Sequence, residues 1–186
     1  MLKNLLFTVA LVCSTPFASA VPIHYEGTIT PNTSVSGSVG GFGFLDDDAA
    51  DVDFWSFFGF ANTRVTIRGA RGAALLDPSL SLYFGTTTAD AATFLHDASF
   101  GGLVYLISAD DQIAVANGPF GDPLLASFLL PSTGFYTIAI GGSISGGNGP
   151  YPYTLGLAVP VPPTLPLLVS GGAALGFGLR RREVRT

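Results

Sequence analysis

Five aspartates within eight residues form the densest group of side chains with chemical potential in this sequence; they are Asp46, Asp47, Asp48, Asp51 and Asp53. Carboxylates this close repel one another unless water or a cation lies between them. Calcium accepts about six to eight oxygen ligands in flexible geometry, and we predict Asp46, Asp48, Asp51 and Asp53 as its ligands. The spacing is not that of an EF-hand loop. The alternative is a hydrated loop whose aspartates accept backbone N–H bonds.

Nucleophilic catalysis has few candidates in the sequence. The chain has two histidines, His24 and His96, and its single cysteine, Cys13, lies near the amino end. A hydrolase needs a nucleophile, a base and a group that orients the base, all within reach of one another. His96 beside Asp97 is the candidate base, and the sequence has no Gly-x-Ser-x-Gly motif. We expect a protein that is not an enzyme, with a secreted hydrolase as an alternative.

Aromatic residues suggest a third kind of site, because aromatic faces stack on the C–H groups of sugars. The candidates are Trp55, Tyr83, Tyr105 and Tyr151. In the competing interpretation Trp55 fills the core and the tyrosines are half-buried with hydrated hydroxyls. A module that binds extracellular polysaccharide, assisted by calcium, is therefore the first alternative function, and the secreted hydrolase is the second.

The charge of the central region excludes several partners. Residues 21–163 contain three arginines against eleven aspartates and Glu26, a formal charge of −9. Such a surface repels nucleic acid and anionic lipid. The three cations, Arg64, Arg68 and Arg71, are expected to pair with aspartates.

The amino terminus has the three-part pattern of a secretory signal peptide. Lys3 supplies the positive charge, and residues 5–12 form an apolar segment too short for a stable membrane span. Ala18 and Ala20 are small residues at the two positions that signal peptidase inspects. We predict that residues 1–20 form a signal helix that signal peptidase removes; an uncleaved anchor is the alternative.

Residues 159–186 combine a proline motif, a short apolar segment and a basic cluster. The motif is Pro160, Val161, Pro162 and Pro163, and the cluster is Arg180, Arg181 and Arg182. As a helix, the uncharged residues 165–179 would span about 22 Å, less than the bilayer core of about 30 Å. The arginines stay cytoplasmic, so that the globular part faces outward. A short transmembrane helix of this kind suits transient anchoring in the inner membrane; the alternative is a permanent anchor.

This tail resembles the PEP-CTERM sorting signals of Gram-negative bacteria, in particular their VPLPA-type variant. It departs from them at Val161, where the commoner motif has glutamate, and at Pro163, where the variant has alanine. The resemblance implies that an exosortase-type membrane protease cuts near residues 160–163. It also implies that the protein is then released to, or fixed on, the cell surface or its extracellular polysaccharide.

Runs of alternating apolar and polar residues fill residues 21–158 and are separated by Gly, Pro, Asn and Asp turns. The segment 64–68 places Val65 and Ile67 on one face, whereas residues 52–60 are aromatic on both faces and predict a central strand covered on both sides. Only residues 89–95 suggest a short helix. The pattern predicts an all-β fold, a single jelly-roll-like antiparallel β-sandwich flanked by the signal helix and the transmembrane helix.

The order of several motifs resembles the bacterial pre-peptidase C-terminal domain. That family is a jelly-roll-like sandwich appended to secreted proteases and surface proteins, and some of its members bind calcium. The stretch 86–107 is longer than the family pattern and predicts an inserted loop or hairpin. The matching motifs are DVDFW at 51–55, DPSLSLY at 77–83, DD at 110–111, LPSTGFY at 130–136 and YTL at 153–155.

Overall fold

The computed structural model describes residues 20–115, 120–144, 147 and 149–160. Most of the predicted signal helix (1–20) and of the predicted sorting tail with its transmembrane helix (159–186) therefore lies outside the described residues. No helix in the described part is long and apolar enough to cross a membrane. The strands there are β1 (Tyr25–Thr28), β2 (Thr33–Val39), β3 (Val52–Gly59), β4 (Arg64–Arg71), β5 (Pro78–Phe84), β6 (Val104–Ala109), β7 (Ile113–Ala114), β8 (Gly121–Asp122), β9 (Leu124–Leu129), β10 (Gly134–Gly142) and β11 (Tyr151–Ala158).

These strands form two facing sheets. The five-stranded sheet has the order β1-β3-β10-β5-β6, the four-stranded sheet has the order β2-β11-β4-β9, and β7 pairs with β8. The predicted all-β sandwich is confirmed. The prediction that it is wholly antiparallel needs one correction, because β1 runs parallel to β3. The chain crosses to the other sheet for β2 before it returns, and two reversals give β1 and β3 the same direction.

The main core lies between the two sheets and follows the alternation of the sequence. Val65 and Ile67 on β4 are buried, as predicted, and the intervening Thr66 is half-buried. Their partners across the core include Leu80 and Leu82 on β5. Burial of such side chains contributes about 1.5–3 kcal/mol each, and it fixes the register because a shift of one residue would expose every one of them.

A second core covers the outer face of the five-stranded sheet. Phe54, Tyr83 and Ala139 point away from the first core, and Phe94 and Phe100 pack on them. The covering residues belong to the stretch 86–107, which was predicted to be an insertion. It contains a 3₁₀ turn at Ala91–Thr93, where a short helix was expected. The central strand predicted at residues 52–60 is thus covered on both faces along most of β3.

Candidate functional site

The structure does not bring the four aspartates of the predicted calcium site together. Among the described residues, no three of Asp46, Asp48, Asp51 and Asp53 place carboxylate oxygens within 4.8 Å of one another. The Asp48 carboxylate accepts a hydrogen bond from the Ala50 N–H at 3.0 Å and caps the 3₁₀ turn Ala49–Asp51. Capping of a turn is the behaviour expected of the hydrated-loop alternative.

Two of the aspartates of the predicted calcium site, Asp48 and Asp53, line a cleft of about 590 Å³. The cleft runs beside Val21. Asp51 lies instead beside a depression of about 250 Å³ around Gly40, and Asp53 borders both spaces. The wider cleft is strongly acidic; its carboxylate-bearing residues are Glu26, Asp47, Asp48, Asp53 and Asp90.

Asp53 has a structural partner in the core. The Tyr153 hydroxyl donates to Asp53 Oδ2 at 2.6 Å, and Trp55 Nε1 donates to the Tyr153 hydroxyl at 2.8 Å. Burial raises the pKa of Asp53, and the hydrogen bond from Tyr153 opposes that rise. Burial also raises the pKa of Tyr153. This chain of hydrogen bonds ties β3 in one sheet to β11 in the other.

His96, the candidate base, is held by Asp47 rather than by Asp97. Asp47 Oδ1 lies 2.7 Å from His96 Nδ1 and accepts the His96 backbone N–H at 2.9 Å. The imidazole is about one-third exposed and lies against Phe44. Within the described residues no serine hydroxyl is hydrogen-bonded to the ring, so the arrangement of nucleophile and base that a hydrolase needs is not assembled there.

A different group of acidic side chains does converge. Asp77 lies directly before β5, and Asp110 and Asp111 follow β6. Because β5 and β6 are antiparallel and Leu80 pairs with Ala109, the start of one strand meets the end of the other. The three residues each place a carboxylate oxygen within 4.8 Å of the other two. We call Asp77, Asp110 and Asp111 the acidic triad.

The three carboxylates of the acidic triad differ in their surroundings. Asp77 is 3% exposed, and its Oδ1 is buried without a hydrogen-bond partner, whereas Asp110 and Asp111 reach the surface. Ser79 donates to Asp110 Oδ1 at 2.5 Å, and the Gly121 N–H donates to Asp111 Oδ1. Burial, followed by the charges of Asp110 and Asp111, raises the pKa of Asp77 to about 7.

Arg71 lies near the acidic triad but pairs with another residue. Its Nε donates to Asp122 Oδ1 at 2.8 Å, and both side chains are buried. The expected pairing of arginines with aspartates is therefore correct for Arg71. It is wrong for Arg64 and Arg68, which have no carboxylate within 4.0 Å among the described residues; Arg64 donates to the Ser127 carbonyl instead.

The aromatic residues proposed to bind sugar divide into two groups. Trp55 is 8% exposed and Tyr83 is fully buried, so both belong to the core, while Tyr105 and Tyr151 are half-buried. A cluster that the sequence did not reveal lies at the surface instead. Phe58, Phe60 and Phe135 are 43%, 64% and 51% exposed, and the Phe58 ring meets each of the other two edge to face.

The structure describes two of the predicted processing residues, Ala20 and Pro160. Both lie outside helices and strands, and both are exposed. The Val21 carbonyl accepts a hydrogen bond from the Ala91 N–H at 2.7 Å. The Val159 N–H donates to Asn32 Oδ1 at 2.9 Å. The other predicted processing residues lie outside the described residues: Ala18, Val161, Pro162, Pro163, Arg180, Arg181 and Arg182.

No family model matches the chain, and no curated protein matches it. Among solved structures, the surface-associated copper-binding protein CorA of Methylomicrobium album BG8 is similar, with 14% identity and a TM-score of 0.55 over 73% of this chain and 98% of CorA. The pre-peptidase C-terminal domain of Bacillus anthracis collagenase has 16% identity and a TM-score of 0.43 over 72% of this chain and 96% of that domain. The secreted copper-binding protein MopE of Methylococcus capsulatus has 12% identity and a TM-score of 0.46 over 70% of this chain and 85% of MopE. The likeness to CorA shows a shared sandwich fold, whereas membership of the pre-peptidase C-terminal family stays a prediction.

Proposed function

We propose that this protein is an exported, non-enzymatic component of the cell surface or extracellular matrix. A signal peptide delivers it, and its carboxyl-terminal tail sorts it through a PEP-CTERM and exosortase-type system. The observation that carries the proposal is the position of both predicted processing sites just outside the paired strands of the sandwich. The exported part is a sandwich of the pre-peptidase C-terminal type.

The carboxyl end of the sandwich is complete before the tail begins. Strand β11 ends at Ala158, and the Val159 N–H donates to Asn32 Oδ1 close to where the described residues end. Pro160 then starts the proline motif, and proline cannot continue a sheet ladder because it has no backbone N–H. Cleavage near residues 160–163 would therefore release the globular part with every described strand intact.

The amino end has the same relation to its processing site. The Ile23 N–H donates to the Ala89 carbonyl at 2.9 Å, and Val21 is bonded to Ala91. Residues after Ala20 thus already belong to the folded part. Signal peptidase cleavage after Ala20 would leave these contacts in place. The surface association stated for CorA supports an external location for this fold.

Mass spectrometry of the protein recovered from its native cells tests the proposal. The mature chain is expected to begin at Val21 and to end within residues 160–163. A tail that is intact through Thr186 would contradict sorting and would indicate a permanent membrane anchor.

A pair of variants separates sorting from folding. R180Q/R181Q/R182Q should stay unprocessed and fail to reach the surface, because the basic cluster that orients the tail is lost. R64Q/R68Q removes two exposed arginines from the sandwich and should be processed as the wild type is. Equal processing of both variants would contradict the role given to the tail.

The exposed cluster of Phe58, Phe60 and Phe135 favours a second candidate function, binding of extracellular polysaccharide. Apolar rings exposed to this degree at neighbouring positions mark an interaction surface on many proteins. In affinity electrophoresis, gels that contain the extracellular polysaccharide of the cell that makes this protein should retard the wild-type protein. The F60S/F135S variant should migrate without this retardation. L75S, which removes another exposed apolar side chain, serves as the control. Unretarded wild-type protein would exclude this function.

A further inference from the structure

We propose that the acidic triad, Asp77, Asp110 and Asp111, is a binding site for a divalent cation and that calcium is the cation it fits best. The site is independent of sorting by the tail. It is also separate from the four aspartates predicted from the sequence, which lie in the turn before β3 and, for Asp53, on β3 itself.

The first argument is convergence on a rigid frame. Asp77 is held at the entrance of β5, where its carbonyl accepts the Ser143 N–H at 2.8 Å. Asp110 and Asp111 leave β6 at the level where Leu80 pairs with Ala109. Ligands from neighbouring strands are therefore positioned by the sheet ladder rather than by a free loop, which lowers the entropy lost when an ion binds.

The second argument is the buried oxygen of Asp77. The side chain is 3% exposed, and Oδ1 has no hydrogen-bond partner although its carboxylate belongs to the converging group. A buried polar atom without a partner costs about 1–3 kcal/mol, and more when the group is charged. A cation held between the three carboxylates would supply the missing partner.

The third argument is the charge balance around the site. Arg71 is the nearest cation, but Asp122 Oδ1 is the only carboxylate oxygen within 4.0 Å of its guanidinium among the described residues. Arg71 Nη1 is likewise buried without a partner, so a water molecule shared by Arg71 and Asp77 is the competing explanation. That explanation leaves the mutual repulsion of the three carboxylates in place, whereas a bound cation removes it.

The chemistry of the donors selects the cation. The triad offers carboxylate oxygens, and the hydroxyls of Ser79 and Ser143 lie beside them, hydrogen-bonded to each other. Hard oxygen ligands suit calcium, magnesium and manganese, while copper and zinc prefer nitrogen or sulfur. Calcium tolerates irregular geometry and completes its shell with water, which the surface position of Asp110 and Asp111 permits.

Thermal unfolding of the full chain in mild detergent, after removal of metal with EDTA, tests the site. For an extracellular type of site, with a dissociation constant of about 1 mM, calcium at about 10 mM should raise the melting temperature by about 4 °C. Magnesium should raise it less. The D111N variant should lose the response, and D46N/D48N, which removes two charges from the other acidic cluster, should keep it.

The D77N variant distinguishes loss of calcium binding from loss of folding. Replacing this carboxylate with an amide removes one of three like charges, so D77N should melt no lower than the wild type in EDTA and yet show no response to calcium. An unchanged wild-type midpoint in calcium would overturn the proposal in favour of the shared water. So would an equal rise in sodium chloride of the same ionic strength, or a response that D46N/D48N loses and D111N keeps.

Discussion

The hydrogen bonds among Trp55, Tyr153 and Asp53 show how one tyrosine hydroxyl can join two sheets. The hydroxyl accepts from the indole and donates to the carboxylate, so that the buried Trp55 and Tyr153 and the half-buried Asp53 satisfy one another. Gly37 on β2 makes room for this contact, because a Cβ at that position would collide with both the Tyr153 hydroxyl and Asp53. Asp53 therefore serves the fold, although its place in an acidic run suggested a metal ligand.

Removing that hydroxyl should be costly. Tyr153→Phe leaves the Trp55 N–H buried without an acceptor, and we expect a loss of about 1–3 kcal/mol in the free energy of unfolding. Urea denaturation followed by the fluorescence of Trp55, the single tryptophan, measures this loss. Tyr105→Phe is the control, since its partner Ser108 keeps a bond to Ser81. Equal stability of Y153F and wild type would mean that the bonds add nothing.

The buried tyrosines also predict an alkaline limit to stability. Burial raises the pKa of Tyr83, Tyr136 and Tyr153 above the ordinary value near 10. The folded state then keeps protons that the unfolded chain releases, so the stabilisation is complete below about pH 10 and is lost as the pH rises beyond it.

Spectrophotometric titration of the phenol groups checks this limit. In the native protein, Tyr83, Tyr136 and Tyr153 should ionise only at the pH at which circular dichroism reports unfolding. In denaturant they should ionise near the ordinary tyrosine pKa of about 10. Ionisation of all six tyrosines of the chain before unfolding would contradict their burial.

The acidic triad shows why a site can be hidden from sequence analysis. Asp77 and the pair Asp110–Asp111 belong to separate motifs of the sequence, and Asp110 lies 33 positions after Asp77 along the chain. Only the pairing of β5 with β6 brings them together. The aspartates from Asp46 to Asp53 are neighbours in sequence, which predicted a shared site. In the structure Asp48 lines the larger cleft, Asp51 lines the smaller depression and Asp53 borders both.

Among the strands, β10 shows how closely an element can fit its neighbours. It lies between β3 and β5 and is buried on both faces along most of its length. Gly141 faces the Phe44 ring, and a Cβ there would lie 2.6 Å from that ring. Gly156 on β11 has far more space, because its nearest neighbour would be the Arg68 carbonyl at 4.0 Å.

These two strand glycines make a matched pair of variants. Gly141→Ala should destabilise the protein by about 1–3 kcal/mol through overpacking. Gly156→Ala should be neutral or slightly stabilising, because alanine loses less backbone freedom on folding. Urea midpoints measured for both proteins compare them directly. Similar midpoints would show that the second core around Phe44 rearranges to accept the added methyl group at little cost.

The sequence predicted the elements better than their connections. Alternation identified Val65 and Ile67 as the inward residues of β4, because a strand with one face in a core must repeat every second residue. The parallel pairing of β1 with β3 could not be predicted from alternation, because it depends on which sheet β2 joins. The cover formed by residues 86–107 was visible as an excess of length, but its docking on Phe54 and Tyr83 was not.

For the whole molecule, the tail should contribute nothing to the stability of the sandwich. A chain that ends at Pro160 keeps every described strand and should melt within about 2 °C of the full chain, a difference below about 1 kcal/mol. Scanning calorimetry of both chains measures this. A chain that ends at Gly142 and lacks β11 should not fold, because β2 and β4 then lose their common neighbour. A markedly lower melting temperature for the Pro160 chain would assign the tail to the fold.

The central position of the last two strands has a consequence for the timing of folding. Strand β10 joins β3 to β5, and β11 joins β2 to β4, so each sheet stays in separate pieces until one of these last two strands is available. A polypeptide that emerges from a translocation channel amino end first can close the five-stranded sheet only after β10 has passed through, and the four-stranded sheet only after β11 has passed through. The predicted membrane tail follows β11 directly. The four-stranded sheet would thus close only when the tail alone is still in the bilayer. Until then β2 and β4 would lack their common neighbour, and the chain would stay incompletely folded and able to pass through the channel.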